Sequence, residues 1–229
     1  MNTQFKDTLA IAFSLLALLA ICKILVPFLP WGHDIASMII LSFQLYVPLW
    51  FIRKEGPDYK TYGLYDYGFL TAGIKADWLY FFADLKRTLW FALATFFPYT
   101  LLYHLFQVQF AAKYGQQLHF NFTLPDNFLW LFFTNLLIVA LPEEIFYRGF
   151  LQTRFLKIWP LGKTILLTSL LFALAHFIGE NNFLRLLPFF PALVFSALAY
   201  YSKSLMGAII YHALCNVFSA VLQSSYFWS

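Results

Sequence analysis

Charged residues are scarce in this chain of 229 residues. Asp, Glu, Lys and Arg together make up 11% of the sequence, whereas 61% of the residues are hydrophobic and 22% are aromatic. A soluble domain carries about 25% charged residues, so this composition excludes that class and predicts a membrane protein. The 15 basic residues outnumber the 11 acidic ones. The basic residues fall in short segments between apolar runs, where they orient membrane spans, and nucleic-acid binding gains no support.

Cysteine and internal repeats are also nearly absent. Cys22 and Cys215 each lie inside an apolar run and show no CxxC spacing. This pattern disfavours a disulfide framework or a zinc ribbon and leaves packing as the expected role of both residues. No internal repeat is visible, whereas transporters are commonly built from inverted repeats. A transporter that couples transport to protons through buried Glu and His is therefore a disfavoured alternative.

Long apolar runs are abundant, and a transmembrane helix needs about 20 mostly apolar residues. Seven candidate spans follow from the sequence: 8–29, 35–52, 88–106, 128–147, 164–178, 186–202 and 205–222. Residues 53–87 mix basic and aromatic side chains and are expected to contain an interfacial amphipathic helix. The sequence thus predicts an all-α, polytopic helical bundle in the cell membrane, with residues 1–229 as a single domain.

Two adjacent carboxylates follow directly on one of these runs. Glu143 and Glu144 come after an apolar stretch that begins near Phe128. A charge in the bilayer interior costs at least roughly 2.5 to 3.5 kcal/mol, so the two carboxylates need a partner, a polar interior or a bound proton. Arg148 follows Glu144 by four residues, which places the two on one helical face, with Glu143 about 100° away. The three residues predict either a structural charge cluster near the membrane surface or part of a functional site.

Two later apolar segments each carry a histidine. His212 and Asn216 are four residues apart and share one face of the last span. A turn at Pro160 should make the fourth and fifth helices a hairpin. Because Glu143 lies 17 residues before Pro160 and His176 lies 16 after it, the two are expected at one depth. Taken singly, His176 is explained as a buried structural histidine, and His212 and Asn216 as residues that hydrogen-bond one helix to another. Taken together with Glu143, Glu144 and Arg148, they predict one functional site.

These residue types suit the hydrolysis of a peptide bond by water. A carboxylate and an imidazole at one depth can position and deprotonate a water molecule, and each such general base is worth about 10² to 10⁴ in rate. A second imidazole and an amide can donate hydrogen bonds to the oxyanion that forms. A thiol nucleophile is a poor competitor, because Cys215 points to a different helical face from Asn216.

In order and spacing, these residues resemble the CPBP family of glutamic-type intramembrane endopeptidases, which includes the CAAX prenyl proteases and the bacteriocin-processing proteins. The family motifs EExxxR, FxxxH and HxxxN are carried here by Glu143, Glu144 and Arg148, by Phe172 and His176, and by His212 and Asn216. The resemblance covers about residues 128–220, which are the expected catalytic core. It implies a membrane-anchored protein or peptide as substrate, within the lipid bilayer.

The resemblance also implies a role for each motif residue. Water would be activated by Glu143 and His176, the oxyanion stabilised by His212 and Asn216, and the site supported by Glu144 and Arg148. Glutamates and histidines can ligate zinc, but the HExxH pattern is missing, so we expect no cofactor and keep zinc as the minority alternative. Since the family includes proteins linked to bacteriocin immunity, the alternative function is a non-enzymatic membrane scaffold or immunity protein of the same fold.

Overall fold

Among the residues described by the computed structural model, seven helices are long and apolar enough to cross a membrane, which confirms the predicted multi-pass, all-α architecture. The structure describes residues 3–29, 31–55, 74–180, 182–202 and 204–229. The helices are α1 (Thr3–Leu25), α2 (Gly32–Glu55), α3 (Ile74–Tyr114), α4 (Phe128–Leu156), α5 (Leu161–Glu180), α6 (Phe189–Ser202) and α7 (Met206–Ser225). Short 3₁₀ turns, Val26–Phe28 and Phe183–Leu186, precede α2 and α6.

The third helix is much longer than its predicted span. The run 88–106 is the middle of α3, which has 41 residues. At 1.5 Å per residue such a helix is about 60 Å long, twice the thickness of the hydrocarbon core, so α3 extends beyond the bilayer. Of the segment expected to contain an interfacial helix, residues 74–87 are the continuous first part of α3, and residues 56–73 lie outside the described residues.

The last helix lies at the centre of the bundle. Half of the most apolar stretch of α7 is buried, compared with 6% in α3. It packs against α3, α4 and α6. Small residues permit this close packing: a Cβ atom added at Gly207 would lie 3.2 Å from the Thr88 hydroxyl of α3, which donates to the Gly207 carbonyl. The apolar periphery of the other helices is exposed, as lipid contact requires.

The fourth and fifth helices form the predicted antiparallel hairpin. The chain turns between Leu156 and Leu161, and Tyr147 and Phe172 lie nearly equally far from Pro160 along the two helices. Their rings meet in an edge-to-face contact with centroids 5.1 Å apart. On the other side, aromatic residues of α2 pack on α4. Phe43 contacts Phe146, and Phe51 contacts Phe150. The motif-bearing helix is therefore enclosed between α2, α5 and α7.

A small sheet, which the sequence did not predict, joins two distant parts of the chain. β1 (Leu118–Phe120) pairs antiparallel with β2 (Tyr226–Trp228), so that His119 lies opposite Phe227. The sheet ties the connection between α3 and α4 to the end of α7. His104 and His119, two histidines outside the predicted site, belong to this end of the molecule, where they contact Tyr226 and Ser229.

Candidate active site

The helix that carries the two adjacent carboxylates is irregular around them. Glu143 and Glu144 lie in one α-helical turn, Leu141–Glu144, between two π-helical stretches, Asn135–Ala140 and Ile145–Gln152. At the end of the first stretch, the Leu141 N–H donates to the Leu136 carbonyl, five residues earlier. Pro142 removes one donor from the α-helical ladder here, which favours the shift in pairing. Stretches of π-helix inside α-helices occur frequently at functional sites.

Glu144, Arg148 and His212 form a fully buried charged cluster. Glu144 Oε1 accepts one hydrogen bond from Arg148 Nη1 at 2.9 Å and another from His212 Nδ1 at 2.9 Å. The exposed fractions of the three residues are 0%, 0% and 2%. Arg148 Nη2 also donates to the Ala192 carbonyl of α6 at 3.2 Å. The predicted pairing of Glu144 with Arg148 is therefore present, and His212 joins it from α7.

Aromatic rings enclose the charged cluster. The guanidinium of Arg148 lies 4.7 Å from the Phe172 ring and 5.0 Å from the Phe195 ring. The His212 ring stacks on Phe195 with centroids 4.6 Å apart and an angle of 16° between the planes. These contacts exclude lipid and water from the ion pair, so its stability depends on the hydrogen bonds and ring contacts within the cluster.

The hydrogen bond to Glu144 determines how His212 is oriented. A carboxylate oxygen that is paired with Arg148 accepts, so His212 Nδ1 carries a hydrogen. The opposite nitrogen, Nε2, then faces Glu143, and its distance from Glu143 Oε2 is 3.7 Å. This distance is longer than a hydrogen bond. The charged cluster thus holds the imidazole ring with one edge directed at the neighbouring carboxylate, as outer partners of functional histidines commonly do.

The two adjacent glutamates have different surroundings. The Glu144 side chain is 0% exposed and is bonded on one oxygen to both of its partners. The Glu143 side chain is 19% exposed, and its Oε2 is buried without a hydrogen-bond donor from the part of the chain that the structure describes. Glu144 Oε2 is likewise buried without such a donor, so the two carboxylates differ in accessibility and in bonded partners, and Glu143 is the more accessible one.

His176 contacts Phe172, the residue that also packs on His212. Its Nδ1 donates to the Phe172 carbonyl at 3.0 Å. A carbonyl only accepts, so Nδ1 carries the hydrogen and the lone pair of the neutral ring is on Nε2. The Phe172 ring lies 4.5 Å from the His176 ring and 5.6 Å from the His212 ring, between centroids. The two predicted histidines, which are on different helices, therefore contact one phenylalanine.

Asn216 lies one turn beyond His212 on α7 and faces α4. Its Nδ2 donates to Asn135 Oδ1 at 3.0 Å, and Asn135 Nδ2 in turn donates to the Leu131 carbonyl at 2.8 Å. Asn135 was not among the predicted site residues. Its signal in the sequence is a polar amide in the apolar run before Glu143, eight residues upstream. The interface between α4 and α7 thus carries two polar contacts, one at His212 and one at Asn216.

A catalytic metal ion requires an arrangement of donor atoms that differs from that of these Glu, His and Asn side chains. A catalytic zinc site uses three protein ligands and a water molecule. Within the described ranges, no group of three His, Cys, Asp or Glu side chains is arranged to hold a metal ion. His212 Nδ1 is engaged by Glu144, and an asparagine amide is a poor zinc ligand. The absence of a cofactor stays a prediction, which chelation and elemental analysis can test.

The fold and the site define a class: a multi-pass membrane protein with Glu, His and Asn side chains gathered between the helices of its C-terminal half. Residues 125–218 match the family model described as Rce1-like, type II CAAX prenyl endopeptidase Rce1-like. This segment is similar to a family of intramembrane endopeptidases of the CAAX protease type. The match confirms the resemblance and the predicted class of enzyme, and it spans all three motifs. No curated protein and no solved structure matches the chain.

Proposed function

We propose that this protein hydrolyses a peptide bond of a membrane-anchored protein or peptide with an activated water molecule. The groups that touch the reacting atoms are Glu143, His176, His212 and Asn216. The observation that carries this proposal is the contrast between the two adjacent carboxylates. Glu144 is 0% exposed, and its Oε1 is bonded to Arg148 and His212, whereas Glu143 is 19% exposed and lies 3.7 Å from His212 without a hydrogen bond to it.

In this mechanism, Glu143 and His176 position and deprotonate the water. The carboxylate only accepts, and the imidazole has its lone pair on Nε2, since its Nδ1 hydrogen is donated to the Phe172 carbonyl. The water oxygen forms a bond to the carbonyl carbon of the substrate while its proton moves to the base. The same proton then passes to the amide nitrogen as the peptide bond breaks, so the base ends the cycle as the acid.

The negative charge that develops on the substrate oxygen is stabilised from α7. Asn216 has two hydrogens on Nδ2, and one of them is donated to Asn135, so the second is available to the oxyanion. His212 donates from Nε2 when the ring carries both protons, while Nδ1 remains bonded to Glu144. Donors held in place before the reaction are effective because they need no reorganisation when the charge appears.

The charged cluster has a supporting role in this scheme. Arg148 balances the charge of Glu144, and Glu144 holds the His212 ring at the angle that directs Nε2 to the reaction centre. Arg148 is also bonded to α6 through Ala192. The cluster therefore connects α4, α6 and α7 at the depth of the site, and removing one member would leave another charge unpaired in an apolar enclosure.

The location of the site supports a substrate that is held in the membrane. The catalytic groups lie on helices that cross the membrane, so a substrate that is itself held in the bilayer meets the site at high local concentration. The description of the matching family names CAAX prenyl endopeptidases. A farnesylated CAAX peptide is therefore a rational first probe, and the same peptide without the prenyl group is its matched control.

The experiment that tests the function compares membranes from cells with the wild-type protein, with Glu143→Ala and with the gene deleted. Quantitative proteomics should show one or more precursors that accumulate equally in the Glu143→Ala and deleted cells. Purified wild-type protein in vesicles should cleave that precursor or the farnesylated peptide. If Glu143→Ala instead behaves as wild type while the deletion changes the membrane proteome, the protein acts without hydrolysis, as a scaffold or immunity protein would.

A further inference from the structure

We propose that Asn135 is a positioning residue of the reaction, which directs the Asn216 amide so that an N–H group faces the oxyanion. The inference rests on the proposed function, in which Asn216 is an oxyanion donor. It concerns a residue outside the three motifs, on the irregular part of α4. The observations that carry it are a directional chain of hydrogen bonds and the helical phase of α4.

The hydrogen bonds order the two amides in one direction. The Leu131 carbonyl only accepts, so the group of Asn135 that lies 2.8 Å from it is the NH₂ group. The Asn135 oxygen is then the atom that faces Asn216, at 3.0 Å, and it only accepts as well. Asn216 must therefore present its own NH₂ group on this side. One backbone carbonyl of α4 thus sets the orientation of an amide on α7.

This orientation decides whether Asn216 stabilises or opposes the oxyanion. With one Nδ2 hydrogen donated to Asn135, the second hydrogen points away from that bond and is available to the substrate. An amide flipped by 180° about its terminal bond would place the Asn216 oxygen where Nδ2 now lies. Two oxygens would then meet, and the flip is disfavoured as long as Asn135 presents an acceptor.

The helical phase of α4 accounts for the position of Asn135. In a straight α-helix, eight residues rotate by about 800°, which is about 80° beyond two full turns, so Asn135 and Glu143 would lie on different faces. A π-helical stretch begins at Asn135 and ends at Ala140. One such stretch takes up about one extra residue, or about 100°, and returns Asn135 to within about 20° of Glu143. Both residues consequently face α7, where Asn216 and His212 share one helical face.

A purely structural role would give a different result. Hydrogen bonds between polar side chains tie helices together in membranes. If the bond between Asn135 and Asn216 had that role alone, its loss would lower stability and leave the turnover number unchanged. The positioning role predicts a loss of kcat with little change in KM, because the oxyanion exists only after water has attacked.

The test is a double-mutant cycle on turnover with purified protein in vesicles. The probe is the farnesylated CAAX peptide or, where that peptide is not cleaved, the precursor that accumulates in Glu143→Ala membranes. Asn216→Ala should lower kcat by about 10² to 10³. Asn135→Leu should lower kcat by about 10 to 10² with KM changed less than about twofold. The double variant should be no worse than Asn216→Ala alone, because Asn135 acts through Asn216.

Two further variants separate positioning from folding. Thr134→Val changes the neighbouring half-buried residue of α4 and is the matched control, with kcat expected to equal that of the wild type. Asn135→Ser keeps a hydroxyl that can donate to the Leu131 carbonyl and accept from Asn216, as serine and threonine side chains do four residues back along a helix. It should recover part of the kcat that Asn135→Leu loses. If Asn135→Leu elutes as aggregate on size exclusion, the comparison of Asn135→Ser with Thr134→Val decides instead.

The outcomes distinguish this inference from the proposed function. Wild-type kcat in Asn216→Ala would overturn the oxyanion role itself, whatever Asn135 does. An impaired Asn216→Ala beside a wild-type kcat in Asn135→Leu would overturn the positioning role alone. Losses that multiply in the double variant, or a change confined to thermal stability, would also show that Asn135 acts independently of Asn216.

Discussion

The charged cluster and the amide pair, Asn135 and Asn216, lie at two places along the interface between α4 and α7. The two places differ in how deeply their polar groups are buried. The charged cluster is at most 2% exposed, whereas both members of the amide pair are half-buried. A buried charge needs a partner of opposite sign, because desolvation costs several kcal/mol per ion. A neutral amide needs only hydrogen bonds, and its unmade bonds cost less.

This difference in burial distinguishes the groups that support the site from those that the proposed mechanism uses on the substrate. In the charged cluster, Oε1 of Glu144 and both terminal nitrogens of Arg148 are hydrogen-bonded within the protein. The amide pair uses one Asn216 hydrogen and leaves the other available. Glu143 faces His212 at 3.7 Å without a hydrogen bond. Apart from Nε2 of His212, the groups that the proposed mechanism uses on the substrate lie beside the charged cluster rather than within it.

The largest expected effect comes from the groups that activate water. Glu143→Ala and His176→Ala should each lower the rate of peptide cleavage by about 10² or more, because each removes a general base. Helix content and thermal unfolding should stay close to wild type, since neither side chain belongs to the charged cluster. The measurement is cleavage in vesicles beside circular dichroism on the same preparations. More than about a tenth of wild-type activity in either variant would contradict the assignment.

Breaking the charged cluster should act on stability instead. Arg148→Ala leaves Glu144 as a buried carboxylate without its cation, and the loss of one partner of a buried pair typically costs about 3 to 5 kcal/mol. We expect a correspondingly lower unfolding midpoint and poor expression. Lys113→Ala, at an exposed site near the end of α3, is the matched control and should unfold like the wild type. An Arg148→Ala protein of full stability would show that Glu144 gains solvation or another partner.

The smallest expected effect is that of chelators. The proposed mechanism uses Glu143 and His176 on water and His212 and Asn216 on the oxyanion, so it requires no metal, and cleavage should survive exhaustive treatment with 1,10-phenanthroline. Elemental analysis of the purified protein is measured beside the cleavage assay. About one zinc per chain, with inhibition by the chelator and recovery on adding zinc, would make His212 a ligand and overturn the oxyanion role.

Several features were predictable because their causes are local or compositional. Apolar runs of about 20 residues insert as helices, since backbone groups in lipid must be bonded within the segment. The bond between Glu144 and Arg148 follows from the spacing of four residues on one helix. The hairpin of α4 and α5 follows from the turn at Pro160.

Other features had no local signal. The three-residue strands β1 and β2 are more than a hundred residues apart in the chain, and such short segments carry no period that separates them from loops. The full length of α3 was missed because its first part is polar and aromatic rather than apolar. The π-helical stretches of α4 depend on a balance of backbone bonds that residue types alone do not report, although Pro142 favours the shift.

By itself, the sequence determined that this is a multi-pass helical membrane protein with polar motifs on three of its helices, because hydrophobic run length and residue spacing act within single helices. Only the tertiary structure decided that Glu144 is engaged while Glu143 is accessible, and that Asn216 faces Asn135. These choices depend on how far each helix is rotated about its axis and how closely α4 and α7 approach. Rotation and approach are set by residues such as Gly207, Phe172 and Phe195, which lie on different helices and contact their neighbours only after the bundle has packed.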